Sequence, residues 1–196
     1  MVYTILRFIS ALLCKIFFRI EVRGKKNMPK KGGFILASNH LSYLDPIILG
    51  VVSSRKLNYM ARHDLFFNRF FGLLLLSLGV FPVKRNSADR PALKQAIKGL
   101  VKGRALVLFP EGTRQSGLNA APLEPLAGVG YLAAKANVPV IPACIKGTDK
   151  ALPKGARYIK PARICVCFGK QINIERGLPY QETARLIMAK IRQLPC

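Results

Sequence analysis

Apolar residues along this chain fall into short runs separated by patterns of helical period. Phe34-Ile35-Leu36-Ala37 in "GGFILAS" (32–38) is a continuous apolar run bounded by Gly and Ser, which predicts a buried strand. "DPIILGVVSS" (45–54) follows as a helix, with Asp45 at its N-cap and Pro46 at its first position. "KLNYMAR" (56–62) reads as strand, 64–77 as helix and "GVFPVKR" (79–85) as strand. The clearest amphipathic helix is "SADRPALKQAIKGLVKG" (87–103), with a capping serine, apolar Leu93, Ile97, Leu100 and Val101, and a closing glycine. "RALVLFPEGT" (104–113) passes from strand into loop, and "LEPLAGVGYLAAKAN" (123–137) is helical. "VPVIPACIKG" (138–147) and "ARICVCFGK" (162–170) are strands, and "PYQETARLIMAKIRQL" (179–194) is a last helix. Strands alternating with helices predict an α/β fold: one domain with a largely parallel β-sheet flanked by helices. Two prolines within 138–142 suit an edge strand or pocket wall better than a central ladder position.

The opening stretch, "MVYTILRFISALLCKIFFRI", is interrupted by Arg7, Lys15 and Arg19, so it lacks the apolar run of about 18 residues that a spanning helix needs. No small-residue cleavage site follows it, against a signal peptide. On a helix the three basic positions fall within roughly a 120° sector, with Leu, Ile and Phe over the remainder. This pattern suits an amphipathic helix lying in a membrane interface, its basic side chains reaching towards phosphates. An ordinary terminal helix packed on the domain would carry the same residues. The division expected is residues 1–24 as a membrane-associating segment and 25–196 as the domain. A second apolar segment, Phe70 to Val83, is too short to span and equally compatible with a buried helix and strand.

Charge sharpens this picture. Lys and Arg number 32 against nine Asp and Glu, a formal +23, while 51% of residues are hydrophobic. A disordered tail protein is excluded, and the surface should seek polyanions. High apolar content favours an anionic membrane face over nucleic acid, which would also want aromatic residues interleaved with basic ones. Many of the phenylalanines cluster instead within 8–18 and 66–81. Five cysteines show no disulfide framework and no paired C-x-x-C, so reduced thiols and no metal are expected, with Cys165 and Cys167 on one strand face.

Candidate chemistry sits where predicted strands end. "SNHLSYLDP" (38–46) places His40 and Asp45 five positions apart, a separation of about 140° on a continuous helix, so the pair makes sense on a loop. An imidazole held by a carboxylate is a general base of fixed tautomer. Asp45 could instead be only a cap and His40 a loop histidine. "LFPEGTRQSG" (108–117) puts Glu111, Gly112, Thr113 and Arg114 beyond another strand. There glycine permits close approach and arginine offers a fork for phosphate. Lys84 and Arg85 close a third strand. His63 is followed by Asp64, but adjacent side chains diverge, which argues against a second catalytic pair.

Taken in order, Asn39-His40 with Asp45, Gly79 through Arg85, Phe109-Pro110-Glu111-Gly112-Thr113-Arg114, and Val138-Pro139-Val140-Ile141-Pro142 resemble the motif blocks of the glycerolipid acyltransferase family, especially the 1-acyl-glycerol-3-phosphate acyltransferases. The blocks span residues 39 to 142. The resemblance implies that His40 deprotonates the 2-hydroxyl of lysophosphatidic acid for attack on acyl-CoA or acyl-carrier protein, with Asp45 orienting it. Asn39, Arg85, Glu111, Gly112, Thr113 and Arg114 then belong to the acceptor site, with Arg85 and Arg114 on phosphate. Val138, Pro139, Val140, Ile141 and Pro142 resemble the family's apolar acyl-site segment. No cofactor or metal is implied, no nucleic acid partner is expected, and the place of action would be the cytoplasmic face of the inner or plasma membrane. The family often carries a Lys just before the Gly after F-P-E-G-T-R, where this chain has Leu126 and Ala127 before Gly128. That departure points to another lysolipid or hydroxylated lipid as the alternative acceptor. A basic membrane-binding module without activity is the other reading.

Overall fold

In the computed structural model, which describes residues 2–84, 89–115, 123–175 and 177–196, seven strands form one sheet. They are β1 (Phe18–Arg23), β2 (Phe34–Ser38), β3 (Leu57–Arg62), β4 (Val80–Val83), β5 (Ala105–Leu108), β6 (Val140–Lys146) and β7 (Ala162–Phe168). Their order is β1-β7-β6-β2-β5-β3-β4, parallel throughout except between β6 and β7. Among the described residues the helices are α1 (Val2–Phe17), α2 (Asp45–Val52), α3 (Arg69–Ser77), α4 (Arg90–Val101), α5 (Gly128–Ala136), α6 (Thr148–Ala151) and α7 (Tyr180–Arg192).

Strand alternation divides the core into two layers. Phe34 and Leu36 of β2 pack with Cys14, Phe18, Ile48 and Leu49 on one face, under α1 and α2. Ile35 and Ala37 pack with Leu100, Leu132 and Ile187 on the other, under α4, α5 and α7. A strand covered on both faces has no polar side to show, which is why β2 reads as an unbroken apolar run.

Several expectations are corrected. Asp45 is the first residue of α2 rather than its cap: Leu44 precedes it at the cap position, and no side chain caps this helix. The stretch 64–77 is not one helix but a 3-10 turn, His63–Phe66, then α3, with the Asn68 side chain accepting from the Phe71 N–H at 3.0 Å. The cap of α4 is Asp89, accepting from the Ala92 N–H at 3.1 Å; the serine at 87 lies outside the described residues. Helix α5 begins only at Gly128, because the chain before it reaches back so that the Leu126 N–H donates to the Pro110 carbonyl at 2.8 Å.

Strand β6 is interior, not an edge. Pro142 is tolerated there because β7 stops at Phe168, leaving the ladder interrupted until the isolated bridge between Val140 and Ile172. Residue 24 marks no structural division, since residues 18–23 are already β1, paired along its length with β7. Arg7 does not reach outward either. Its guanidinium donates to the Ser53 carbonyl at 2.5 Å, tying α1 to the end of α2. The apolar side chains on the outer side of α1 stay bare, with Phe8 71% and Ile16 68% exposed. No helix among the described residues is long and apolar enough to cross a membrane.

Candidate active site

Strands β2 and β5 are neighbours whose chains leave in opposite directions. From β2 the chain passes through α2, on one face, to β3; from β5 it passes through α5, on the other face, to β6. Such a divergence opens a crevice at the carboxyl ends of the two strands. His40 stands at the end of β2, and Phe109 to Arg114 stand at the end of β5.

The His40 Nδ1 lies 2.7 Å from Asp45 Oδ2. The same oxygen accepts from the backbone N–H groups of Leu41 at 2.6 Å and Ser42 at 2.8 Å. A wholly buried carboxylate is thus met by three donors on one atom, and its other oxygen, Oδ1, has no hydrogen-bond partner among the described residues. Because a carboxylate only accepts, Nδ1 carries the ring proton and Nε2 keeps its lone pair. The ring is held flat against Phe109, with centroids 4.1 Å apart and planes 20° from parallel.

Two further bonds stitch the His40 loop to the turn after β5. Glu111 Oε2 accepts from the His40 N–H at 2.8 Å, and the His40 carbonyl accepts from the Gln115 N–H at 2.9 Å. Partial burial pushes the Glu111 carboxyl above its ordinary value, against the opposing pull of the His40 N–H. A carboxyl raised in this way lends stability below its ordinary value and loses it as pH rises through the folded one. Glu111→Gln keeps an acceptor for His40 but removes the charge. Its melting temperature relative to wild type should therefore climb as pH rises through the range just above ordinary glutamate titration. Melting scans across the acid range test this, and a difference that is flat or falling with pH would refute it.

Asn39 acts as an extension of β2. Its amide donates to the Ile145 carbonyl at 2.8 Å and accepts from the Ile145 N–H at 2.8 Å, mimicking one more rung to β6. It fixes the strand end from which His40 projects. Gly112 has φ of 67°, the left-handed region that favours glycine, and the Leu126 side chain lies over it. Thr113 is exposed, and the Arg114 guanidinium lies over the Tyr43 ring at 3.5 Å from its centroid.

The structure therefore gathers His40, Asp45, Asn39, Glu111, Gly112, Thr113 and Arg114 at one crevice. Arg85 lies outside the described residues, though Lys84 before it is exposed at the end of β4. Residues 138–142 are not brought to the crevice as a lining. Val140 and Ile141 are wholly buried, one in each core layer, and Val138 and Pro139 precede β6 at the opposite end of the sheet. His63 packs edge-on against Phe67, while Asp64 pairs with Arg62. Phe109 and Tyr43 have no assigned part in the motif blocks. An aromatic residue closing each motif strand or loop was the available signal for both.

A family model described as Acyltransferase matches residues 19–146. The 1-acyl-sn-glycerol-3-phosphate acyltransferase of Bacillus subtilis (strain 168) is 30% identical over 155 residues, covering 79% of this chain and 74% of that protein. The protein of the same name from Streptococcus pneumoniae is 30% identical over 180 residues, 89% of this chain and 64% of that one. That from Borreliella burgdorferi is 36% identical over 101 residues, 50% of this chain and 40% of that one. In fold, the chain resembles the crystal structure of the 1-acyl-sn-glycerophosphate acyltransferase of Thermotoga maritima, with a TM-score of 0.79 at 21% identity over 97% of this chain and 79% of that one.

Proposed function

The chain belongs to the acyltransferase family, and on that premise we propose that it moves a fatty acyl group from an acyl thioester to the 2-hydroxyl of 1-acyl-glycerol-3-phosphate, giving phosphatidic acid. The observation that carries this reading is the His40–Asp45 pair, 2.7 Å apart and stitched through Glu111 and Gln115 to the turn that bears Arg114. His40 Nε2 takes the proton of the acceptor hydroxyl as its oxygen attacks the thioester carbonyl. The tetrahedral intermediate collapses by breaking the C–S bond, and the departing sulfur takes the proton from the imidazolium. Asp45 holds the ring and offsets the imidazolium charge. No nucleophilic side chain of the protein is needed, because the acceptor supplies the attacking oxygen. The donor is the thioester of CoA or of acyl-carrier protein.

Arg114, together with Arg85 of the separate Gly79–Arg85 block, is assigned to the acceptor phosphate, and Tyr43 keeps the Arg114 guanidinium flat and oriented. Arg114→Ala should raise KM for the lysolipid by roughly 10- to 100-fold with kcat largely kept, the size of a lost charge-assisted hydrogen bond. Arg114→Lys should recover part of this. Steady-state kinetics decide it, and an unchanged KM would remove Arg114 from the acceptor site.

The setting of this chemistry is the anionic cytoplasmic face of a membrane, where lysophosphatidic acid resides. Its supports are the +23 formal charge and the exposed side chains of Phe8 and Ile16 on α1 and of Phe67 and Phe70 around α3, the last 86% exposed. The reaction is tested by following thiol release from long-chain acyl-CoA, and separately from acyl-carrier protein, with and without lysophosphatidic acid. Release that requires the acceptor and yields phosphatidic acid by mass is expected. Hydrolysis without acylated product, from either donor, would sink the reading. Leu126 over Gly112 favours a second reading in which the acceptor carries less charge. Transfer to a neutral lysolipid in preference to lysophosphatidic acid would select it.

A further inference from the structure

Three of the five cysteines, with Cys144 beside them, meet where β6, β7 and the end of the chain come together. Cys144 of β6 and Cys167 of β7 are direct cross-strand partners, and Cys165 lies two residues from Cys167 on the same strand face. After α7 the chain lays Cys196 over them. Cys167 Sγ donates to the Pro195 carbonyl at 3.1 Å, and Cys196 Sγ donates to the Cys144 carbonyl at 3.3 Å. The same tail is held by Arg23 of β1, donating to the Pro195 carbonyl at 3.0 Å, and by Lys146 Nζ, donating to the Cys196 carbonyl at 2.5 Å. As a result the sulfurs of Cys165, Cys167 and Cys196 all lie within 4.8 Å of one another.

Three thiols from two separate chain segments, converging this closely, have the chemistry of a metal site. A thiophilic ion about 2.3 Å from each sulfur in a tetrahedral array sets the sulfurs about 3.8 Å apart. Rotation about the Cα–Cβ bonds of the partly exposed Cys165 and Cys196 closes the remaining gap, and their exposure gives the ion its entry. We propose that Cys165, Cys167 and Cys196 form a thiolate site for a soft d10 cation of the zinc class, with solvent completing the shell. Binding converts each ligating thiol to a thiolate and releases its proton to solvent. A dication with three thiolates carries one net negative charge, and Lys146 and Arg23 stand beside the site to offset it. The ion would clamp the tail after α7 onto β7 and β6. This site stands independently of the acyl-transfer reaction.

The test uses the full chain, reduced and stripped of metal, titrated with Co2+ and then Zn2+. Thiolate-to-cobalt charge-transfer absorption should saturate at one ion per chain and be bleached by Zn2+. The melting temperature should rise with free Zn2+ concentration, as it must for a ligand that binds the folded state. Cys165→Ser/Cys167→Ser, and separately Cys196→Ser, should weaken both effects by about 10²-fold or more, while Cys14→Ser, remote in the core, leaves them unchanged. Circular dichroism confirms that each variant is folded. Absence of the charge-transfer band in folded, reduced protein would overturn the site, as would its survival in the double variant. Loss of two hydrogens with Cys peptides linked, and no ion bound, would overturn it in favour of a disulfide pair.

Discussion

His40→Ala is expected to lower kcat by about 10²- to 10⁴-fold, the range for loss of a positioned general base, with little change in KM for either substrate. The acceptor hydroxyl would then have to lose its proton to water during attack, and the imidazolium that returns one to the departing sulfur would be missing. The ring's other contacts are its stacking on Phe109 and its bond to Asp45, so the variant also leaves a small gap beside β5. The fold should nonetheless persist, because the His40 backbone bonds to Glu111 and Gln115 involve no imidazole atom. Parallel measurement of turnover and melting separates the two effects. Wild-type turnover in a folded His40→Ala protein would remove His40 as the base and, with it, the mechanism.

Much of the fold was legible because its signals are local. An apolar run covered on both faces identified β2, and amphipathic period with a closing glycine identified α4. What was not legible depended on partners distant in the chain. Pro142 suggested an edge, and only the early end of β7 explains its place inside the sheet. Arg7 had the periodicity of an interfacial cation, and only the proximity of the Ser53 carbonyl shows it turned inward. Likewise Asp45 read as a cap, the ordinary use of Asp before Pro at a helix start. Its carboxylate serves the preceding loop instead, where His40, Leu41 and Ser42 converge on it. The crevice itself was legible in the Asn39–Asp45 and Glu111–Arg114 blocks, since both follow a strand end. The stacking of Phe109 and Tyr43 required the third dimension, as did the meeting of Cys196 with Cys165 and Cys167.

Asp45→Asn should cost nearly as much activity as loss of His40 while keeping the loop. The Asn oxygen can take over all three donors of Asp45 Oδ2, and the opposite orientation would set an NH2 group against the N–H groups of Leu41 and Ser42. The tautomer of His40 is therefore preserved, but the charge that offsets its imidazolium is gone. In hydrolases built on the same carboxylate–imidazole pair the change costs about 10⁴-fold through the wrong tautomer; here, with the tautomer kept and only the charge lost, kcat should fall by about 10²-fold. Stability should also drop, by about 1–3 kcal/mol, because the new NH2 falls where the wholly buried Oδ1 has no partner among the described residues. A denaturant midpoint measures that cost. A purely structural Asp45 would show the stability loss with turnover intact. The sharper test is a double variant. If Asp45 acts only through the imidazole, His40→Ala/Asp45→Asn should turn over no more slowly than His40→Ala alone, since groups that work as a unit lose their effect together. Losses that multiply would mean that Asp45 contributes to the reaction by a route other than His40.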